Sequence, residues 1–302
     1  MEFKYTGKDG HRINVYKWEA NKPKAILQIV HGMAEHAARY ENFAKFLNKE
    51  GITVYADDHR GHGKTSEAVD KQGRIGKDGF NGMVEDEKKL TDLIKNENPK
   101  IPIILMGHSM GSFLSQEYIT KYGDGLDGVI LSGTSGKFGG DVKGGRLLAG
   151  LQMIFLGGNA KAKLVEKISF GPYTKRIENL KSDKDWVNRD QKEVAKYIED
   201  PYCGAIFPLR FYYELFGGFI NLHNKDKIES IPKKLPIYIF AGEADPVGKY
   251  GKGIKNLYEM YKELGIKNLN MKLYPGGRHE MLNEINKKEV YQDVLNWLKK
   301  RY

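Results

Sequence analysis

The 302-residue sequence has a single cysteine and no long apolar run. Cys203 cannot form an internal disulfide bond, and we predict that it is a small buried residue in a protein of the reducing cytoplasm. No segment approaches the roughly 20 consecutive apolar residues that a membrane-spanning helix needs. The opening residues, "MEFKYTGKDG", lack the apolar stretch of a signal peptide. Together these features predict a cytoplasmic location.

Signatures of nucleic-acid binding are also missing. The sequence has no arginine-rich arm, no zinc-finger spacing and no aromatic RNA-binding motif, although its net charge is +10. More than half of this excess, a net charge of +6, lies between residues 137 and 235. We therefore expect no nucleic-acid partner. The basic segment is compatible with peripheral contact with a membrane or micelle surface, and the oligomeric state is left open.

Apolar runs that are typical of strands alternate with amphipathic helical patterns. The runs "AILQIV", "ITVYA", "IPIILM" and "LDGVILSG" predict strands, because continuous apolar segments suit a sheet that is covered on both faces. The segment "RINVYKW" alternates polar and apolar residues and predicts a half-exposed strand. Strand–helix alternation predicts an α/β fold with a mostly parallel sheet and helices on both of its faces.

This alternation stops after the sixth strand and resumes near "PIYIFAGEAD". Between the two points, helical patterns dominate, namely "RLLAGLQMIFLGG", "KEVAKYIED" and "LRFYYELFGGFI". We predict core residues 1–136, a helical cap inserted at 137–235, and a second part of the core at 236–302. The first of these patterns could line a pocket or form the core of the cap, and the last is interpreted as partly exposed.

One short motif points to chemistry. In "GHSMGS", Ser109 stands between Gly107 and Gly111, directly after a predicted strand and before a predicted helix. Such a strand–turn–helix presents a serine hydroxyl at the carboxyl edge of the sheet, where parallel α/β sheets bind ligands. Five residues alone are a weak signal, but the placement predicts a nucleophile.

A serine nucleophile needs a base and an acid that supports the base. In this architecture the acid and then the base follow the serine along the chain. Asp245 follows the strand "PIYIF" and His279 follows the strand "LNMKL", so both are expected at the same edge as Ser109. Glu243 is an alternative acid. The order and the placement together predict a catalytic triad of Ser109, Asp245 and His279.

These segments resemble those of a known family. The pieces "HGMAEHAARY", "DDHRGHGKT", "GHSMGS", "AGEADPVG" and "GGRHE" are similar to those of α/β-hydrolases of the monoacylglycerol lipase and bacterial lysophospholipase group, which borders serine aminopeptidase-like sequences. The resemblance implies an eight-stranded α/β-hydrolase fold with a cap after strand 6. It is weakest in the cap, where "DWVNRDQKEVAKYIEDPYCG" is similar to the longer caps of bacterial members.

An oxyanion hole requires two backbone N–H donors. The amide of Met110, the residue after the nucleophile, is expected to be one of them. The resemblance implies that the amide of Met33, in the "HGMAE" loop, is the other. No cofactor and no metal are implied.

Polar residues outside the triad are given structural interpretations. His59 and His62 lie with Asp57 and Asp58 in "DDHRGHG", which superficially resembles a metal site. We favour a loop that is held by its own polar side chains. Glu35 and Arg39 are predicted to form an ion pair that braces the "HGMAE" loop.

The expected function is hydrolysis of single-acyl-chain esters, such as monoacylglycerols or lysophospholipids, through an acyl-enzyme on Ser109. Alternatives within enzymes are a carboxylesterase for small esters and an aminopeptidase-like amidase. The alternative from another class is a ligand-binding protein on a hydrolase fold. An intact triad favours the enzyme over the binding protein, because a binding protein has no need of one.

Overall fold

A single eight-stranded sheet organises the molecule. The computed structural model describes residues 1–302. The strands are β1 (Glu2–Thr6), β2 (Arg12–Trp18), β3 (Ala25–Val30), β4 (Ile52–Asp58), β5 (Ile103–His108), β6 (Gly128–Ser132), β7 (Ile237–Gly242) and β8 (Leu269–Tyr274). Their order in the sheet is β1-β2-β4-β3-β5-β6-β7-β8.

Six of the strands, β3 to β8, run parallel, and β1 and β2 are antiparallel to their neighbours. The predicted α/β class with a mostly parallel eight-stranded sheet is therefore confirmed. Every residue of β3, β4, β5, β6 and β7 is buried, as their continuous apolar runs require. The sequence patterns did not predict β1, which is short and carries polar residues at every second position.

Helices cover both faces of the sheet. They are α1 (Glu41–Asn48), α2 (Gly79–Glu97), α3 (Met110–Tyr122), α4 (Gly140–Leu156), α5 (Lys163–Phe170), α6 (Gln191–Glu199), α7 (Leu209–Asn221), α8 (Lys225–Glu229), α9 (Lys252–Glu263) and α10 (Lys287–Leu298). One apolar core lies under α1 and α10. The other lies under α2, α3 and α9 and continues into α4, α5 and α7. None of the helices combines the length and the apolar composition that crossing a membrane would require.

The chain between β6 and β7 contains α4 to α8 and no strand. Of these helices, α5 and α8 were not predicted. The interpretation of "LRFYYELFGGFI" as partly exposed was wrong for most of its apolar residues, because Leu209, Phe211 and Leu215 are at most 3% exposed. This helix, α7, packs against α4, and periodicity within one helix cannot show which neighbour covers it. The division at 137 and 235 stays a prediction.

Two further expectations concern burial. The interpretation of β2 as half-exposed was wrong, since Ile13 to Tyr16 are all buried. The loop after β4 contacts β2, because the Thr65 hydroxyl accepts a hydrogen bond from the backbone N–H of Asn14 at 2.8 Å. Cys203 is buried, as predicted.

Candidate active site

Three loops meet at the carboxyl edge of the parallel strands. Ser109 follows β5, Asp245 follows β7 and His279 follows β8. Because β5, β6, β7 and β8 are consecutive neighbours in the sheet, these three loops lie side by side. Ser109 and His279 line the same cavity. The structure thus gathers the three residues at one end of the sheet.

The backbone of Ser109 is strained. Its φ of 52° and ψ of −121° lie outside the regions that non-glycine residues ordinarily adopt. The flanking glycines allow this bend, because a Cβ on Gly111 would overlap the carbonyl oxygen of Val30 and a Cβ on Gly107 would overlap that of Gly111. The Gly-x-Ser-x-Gly pattern is therefore explained by close backbone packing, and the strain holds the serine out at the turn.

Asp245 contacts His279 directly. Nδ1 of the imidazole lies 3.0 Å from Oδ2 of Asp245, and the two residues are 4% and 0% exposed. The other carboxylate oxygen accepts the Val247 amide at 2.9 Å, which fixes the orientation of the carboxylate. Glu243, the alternative acid, is exposed and makes no contact with the imidazole. The geometry therefore favours Asp245 as the partner of His279.

Charge and burial act in opposite directions on His279. Burial by itself lowers the pKa of the imidazole, but the charge of Asp245 and the hydrogen bond to it outweigh burial, so the pKa is raised above its ordinary 6.5. The neighbouring His108 differs. Burial, reinforced by the positive charge of His279, lowers the pKa of His108 to about 4. His108 is therefore neutral when His279 titrates.

The pH dependence of hydrolysis should report His279. A general base must be neutral, so kcat/KM is expected to rise with pH through a midpoint above 6.5, the ordinary imidazole value. The measurement is kcat/KM for a short soluble ester between about pH 5 and 8, in which range histidine charge changes. His108→Gln provides the control and should leave the midpoint in place. A rate that is independent of pH, with chemistry limiting, would contradict a histidine base.

The two candidate oxyanion donors also lie beside Ser109. Met110 is the first residue of α3, so its N–H has no partner within the helix. Met33 lies in the loop after β3, and both residues line the cavity. Glu35 shapes this loop, because its Oε1 accepts the Gly32 amide at 2.6 Å. The arrangement is suited to binding a negative oxygen near Ser109.

A buried ion-pair network connects the "HGMAE" loop, which we call the oxyanion loop, to the loop after β8 that carries His279. The guanidinium of Arg39 donates two hydrogen bonds to Glu280 at 2.5 and 2.7 Å and one to Glu35 at 2.7 Å. The predicted pair of Glu35 and Arg39 is therefore confirmed. Glu280 directly follows His279. The sequence did not predict its role, because 241 residues separate it from Arg39.

The same network contacts the segment between β6 and β7. The Arg39 guanidinium lies 4.9 Å from the ring centre of Tyr197 on α6. The Tyr197 hydroxyl and the Gly204 amide both donate to the carbonyl oxygen of Ala34, at 3.0 and 2.9 Å. Ala34 has a positive φ of 53°, so these bonds hold a strained residue next to Met33. Arg39 thus joins three parts of the site.

Arg39→Lys should lower kcat more than it changes KM. A lysine ammonium is a point charge and cannot form the two parallel bonds to Glu280 while also reaching Glu35. We expect kcat to fall by about 10- to 100-fold, since small displacements of catalytic groups have effects of this size. Arg12→Lys, at an exposed arginine of β2, is the matched control. An unchanged kcat in folded Arg39→Lys would contradict a positioning role.

The "DDHRGHG" segment forms a separate buried cluster. Nδ1 of His59 lies 3.2 Å from Asp57 and 3.1 Å from Glu87, and Nε2 lies 3.0 Å from the carbonyl oxygen of His31. Burial lowers the pKa of His59, but the two carboxyl groups outweigh it and raise the pKa well above its ordinary value. In the charged imidazole both ring nitrogens donate hydrogen bonds, and each has an acceptor within the cluster. This geometry supports a loop that is held by its own side chains.

A cavity of about 940 Å³ opens beside Ser109. Most of its apolar lining comes from the segment between β6 and β7 and from α3, and includes Phe113, Phe138, Val142, Leu148, Phe170, Leu215, Phe216 and Phe219. Of the apolar residues of α4, Leu148 lines the cavity, whereas Leu147 and Leu151 are 65% and 49% exposed. The two interpretations of this helix, pocket lining or cap core, are thus both incomplete.

Comparisons with known proteins agree with this geometry. The family model for serine aminopeptidases, S33, matches residues 21–286. The monoacylglycerol lipase of Mycolicibacterium smegmatis is 29% identical to this chain, over 98% of this chain and 96% of that protein. The crystal structure of a highly thermostable carboxyl esterase from Bacillus coagulans in complex with glycerol matches with a TM-score of 0.92 and 32% identity, over 100% of this chain and 98% of that one. A lipase in its open form matches with a TM-score of 0.87 and 28% identity, over 98% and 96%.

Proposed function

The chain belongs to the serine aminopeptidase (S33) family of α/β-hydrolases, and from this premise we propose that it hydrolyses esters of a single fatty acyl chain, with monoacylglycerols as the first candidates and lysophospholipids as the second. It is a serine ester hydrolase, like the relatives named monoacylglycerol lipase and carboxyl esterase. The observation that carries the substrate class is the large apolar cavity beside Ser109. The catalytic roles below are part of the proposal.

The reaction has two halves. In the first, His279 Nε2 accepts the hydroxyl proton of Ser109 as Oγ forms a bond to the ester carbonyl carbon, and the carbonyl oxygen becomes an oxyanion bound by the amides of Met33 and Met110. The C–O bond to the alcohol then breaks, and the imidazolium returns the proton to the leaving alkoxide. In the second half, water repeats these steps on the acyl-enzyme and releases the fatty acid. Asp245 orients the imidazole and stabilises its charged form.

The lining of the cavity supports an acyl chain more than a polar substrate. Phenylalanine and leucine side chains from α3, α4 and α7 surround the space beyond Ser109. Burying each methylene of a substrate in such a space contributes about 0.8 kcal/mol. A small soluble ester would leave most of this apolar surface uncovered, so a long acyl chain is favoured.

The charged residues around the cavity bear on the head group. Four lysines and five carboxylates line it, namely Lys163, Lys167, Lys184 and Lys249 with Glu35, Asp141, Glu166, Asp183 and Glu280. Charges of both signs do not select an anionic head, which places the uncharged glycerol ester ahead of the lysophospholipid. An aminopeptidase would need an acid for the substrate ammonium. Glu35 and Glu280 are two of these carboxylates, but both are already engaged in ion pairs with Arg39.

Acyl-chain length should control the rate. We expect kcat/KM for p-nitrophenyl esters to rise by up to about fourfold per added methylene, which corresponds to about 0.8 kcal/mol each, until the cavity is filled. Leu148→Trp should shorten the preferred chain, because Leu148 lines the cavity. Fatty-acid release from monoacylglycerol and lysophospholipid micelles would then rank the two lipids.

Leu147→Trp is the matched control for this experiment. It lies on the same helix as Leu148 but is 65% exposed, so the chain-length profile should not change. A preference confined to acetyl esters, with no release from either lipid, would contradict the lipid ester proposal and leave a carboxylesterase for small esters. Hydrolysis of aminoacyl amides in place of esters would favour the amidase.

A membrane or micelle surface is the proposed partner of the face formed by α4 and α5. Exposed apolar side chains cluster on these two helices, namely Leu147, Leu151, Ile154, Phe155, Leu156, Leu164 and Ile168. Lys143, Arg146, Lys161, Lys163 and Lys167 lie in the same stretch of chain, against Asp141 and Glu166. Apolar side chains flanked by an excess of cations suit the interface of an anionic bilayer. Contact at this face would bring lipid substrates close to the cavity.

A cytoplasmic location is proposed as well. Its support is the single cysteine, Cys203, which is buried and unpaired. Such a protein would meet the inner leaflet, whose anionic lipids attract basic surfaces.

A further inference from the structure

A second cavity, which we call the basic cleft, lies away from Ser109. It has a volume of about 300 Å³ and shares no lining residue with the first cavity. One wall is the core segment 73–77, and the other is formed by Asn159, Pro208 and Arg210, from the chain between β6 and β7. The cleft therefore lies where these two parts of the molecule meet.

Positive charge dominates the basic cleft. Arg74 and Lys77 on one wall and Arg210 on the other line it, and it has no acidic lining residue. Arg74 and Lys77 are exposed and have no carboxylate within ion-pair distance, whereas Arg210 lies 3.5 Å from Glu214. The lining thus carries three cations and no carboxylate, and Glu214 and Asp78 lie just outside it. A bound anion would stabilise such a lining.

Lys161, two residues after Asn159, adds a further positive charge near the basic cleft. Burial and the positive charge of Arg74 together lower the pKa of the Lys161 ammonium, and Asp70 only partly opposes them. The repulsion between Arg74 and Lys161 is thus only partly offset by Asp70. An anion between these cations would relieve it.

The walls of the cleft are held in place by the backbone. The Gly73 amide donates to the carbonyl oxygen of Gly61 at 2.7 Å, and the Arg210 amide donates to that of Gly158 at 3.0 Å. Ile75, between Arg74 and Gly76, is 1% exposed and anchors its wall in the core. The cations therefore project from fixed backbone, which lowers the entropy lost when they bind a ligand.

The cleft adjoins the apolar end of α4. The last three residues of this helix, Ile154, Phe155 and Leu156, are 74%, 83% and 62% exposed. Asn159, which lines the cleft, follows Leu156 by only three residues. A surface that receives these apolar side chains would therefore also present its head groups to the cleft.

We propose that the basic cleft binds the phosphate group of an anionic phospholipid in the membrane on which α4 docks. This inference rests on the docking surface in the proposed function. Phosphate is favoured over carboxylate because Arg74 and Arg210 approach from opposite walls, and two guanidinium groups match the several oxygens of a phosphate. A lipid is favoured over free phosphate because the exposed apolar end of α4 lies only three residues before Asn159 of the cleft. The cleft would select anionic membranes without taking part in hydrolysis.

The test is binding of the full chain to sedimented vesicles. Phosphatidylcholine vesicles are compared with vesicles that also contain phosphatidylglycerol. Wild-type protein should prefer the anionic vesicles, and Arg74→Gln/Lys77→Gln should weaken that binding by about 10- to 30-fold, as expected for two cations at a charged surface. Arg210→Gln should weaken it in the same direction from the opposite wall. Phe155→Ser should weaken binding to both kinds of vesicle, because it removes an apolar contact.

Matched controls separate the cleft from general electrostatics. Lys95→Gln/Lys255→Gln removes the same charge from exposed positions on α2 and α9 and should leave vesicle binding unchanged. Equal losses in this control and in the cleft variant would overturn the proposal. Vesicles carrying oleate at the same charge density should bind less tightly than phosphatidylglycerol vesicles. Equal binding to both would overturn the assignment to phosphate.

Soluble probes distinguish the source of the phosphate and keep the two proposals separate. Inorganic phosphate should compete only weakly with vesicles for the wild-type protein. Binding of inorganic phosphate alone, at micromolar concentration and without vesicles, would overturn the lipid assignment. Hydrolysis of p-nitrophenyl butyrate should be the same in wild type and Arg74→Gln/Lys77→Gln. If Arg74→Gln/Lys77→Gln hydrolyses the ester normally and binds vesicles as the wild type does, only the proposed phosphate site is rejected. If the wild type does not hydrolyse esters but still prefers anionic vesicles, only the proposed function is rejected.

Discussion

Ser109→Ala is expected to lower kcat for ester hydrolysis by at least about 10⁴-fold while leaving the fold intact. The alanine lacks the oxygen that forms the acyl-enzyme, and water cannot replace it in the same position. The fold should survive because alanine tolerates the φ of 52° about as well as serine does, and the flanking glycines are unchanged. Circular dichroism and the Tm check this, and kcat is measured on a short p-nitrophenyl ester.

Covalent labelling gives an independent readout. A fluorophosphonate should react with the wild type at Ser109 and should not react with Ser109→Ala. Ser169→Ala is the matched control, since Ser169 lines the same cavity but lies on α5. Near-normal hydrolysis by folded Ser109→Ala would contradict the nucleophile, and an unlabelled wild type that binds esters would favour the ligand-binding alternative.

Asp245→Asn is expected to lower kcat by about 10³- to 10⁴-fold, which is less than the loss on removing Ser109 or His279. An asparagine amide cannot hold the imidazole in the required tautomer or stabilise its charge, although it keeps the size of the side chain. Glu243→Gln is the matched control because it makes the same chemical change two residues earlier. Glu243 is exposed, so kcat should change by less than about twofold, as for most surface substitutions.

A reversed result, with Glu243→Gln inactive and Asp245→Asn active, would show that the acid is wrongly assigned. His279→Ala combined with Ser109→Ala should cost little more than either change alone, because members of a triad act as a unit. Additive losses in this pair would contradict a shared mechanism.

The geometry explains why the site sits on strained backbone. Ser109 and Ala34 both have positive φ, and each is adjacent to a candidate oxyanion donor. Strained residues persist only where surrounding contacts compensate for them. At Ser109 the compensation is close packing of β3, β5 and α3, and at Ala34 it is the pair of hydrogen bonds from Tyr197 and Gly204. These two hydrogen bonds make the conformation of the oxyanion loop depend on the segment between β6 and β7.

Local sequence patterns were sufficient to predict most of the sheet and the place of the candidate catalytic residues. Continuous apolar runs are readable because a strand buried on both faces excludes polar residues. Parallel strands end at one edge, so residues that follow β5, β7 and β8 must approach one another there. This reasoning placed Ser109, Asp245 and His279 together from local patterns alone.

Which side chains contact each other became visible only in the folded molecule. The fold brought Asp245 rather than Glu243 to the imidazole, and it joined Arg39 to Glu280 across 241 residues. It also buried α7 and exposed the end of α4, although both sequences are apolar. In each case the local pattern indicates only that a side chain favours burial or a charged partner, because the residues that bury or pair with it come from a distant segment.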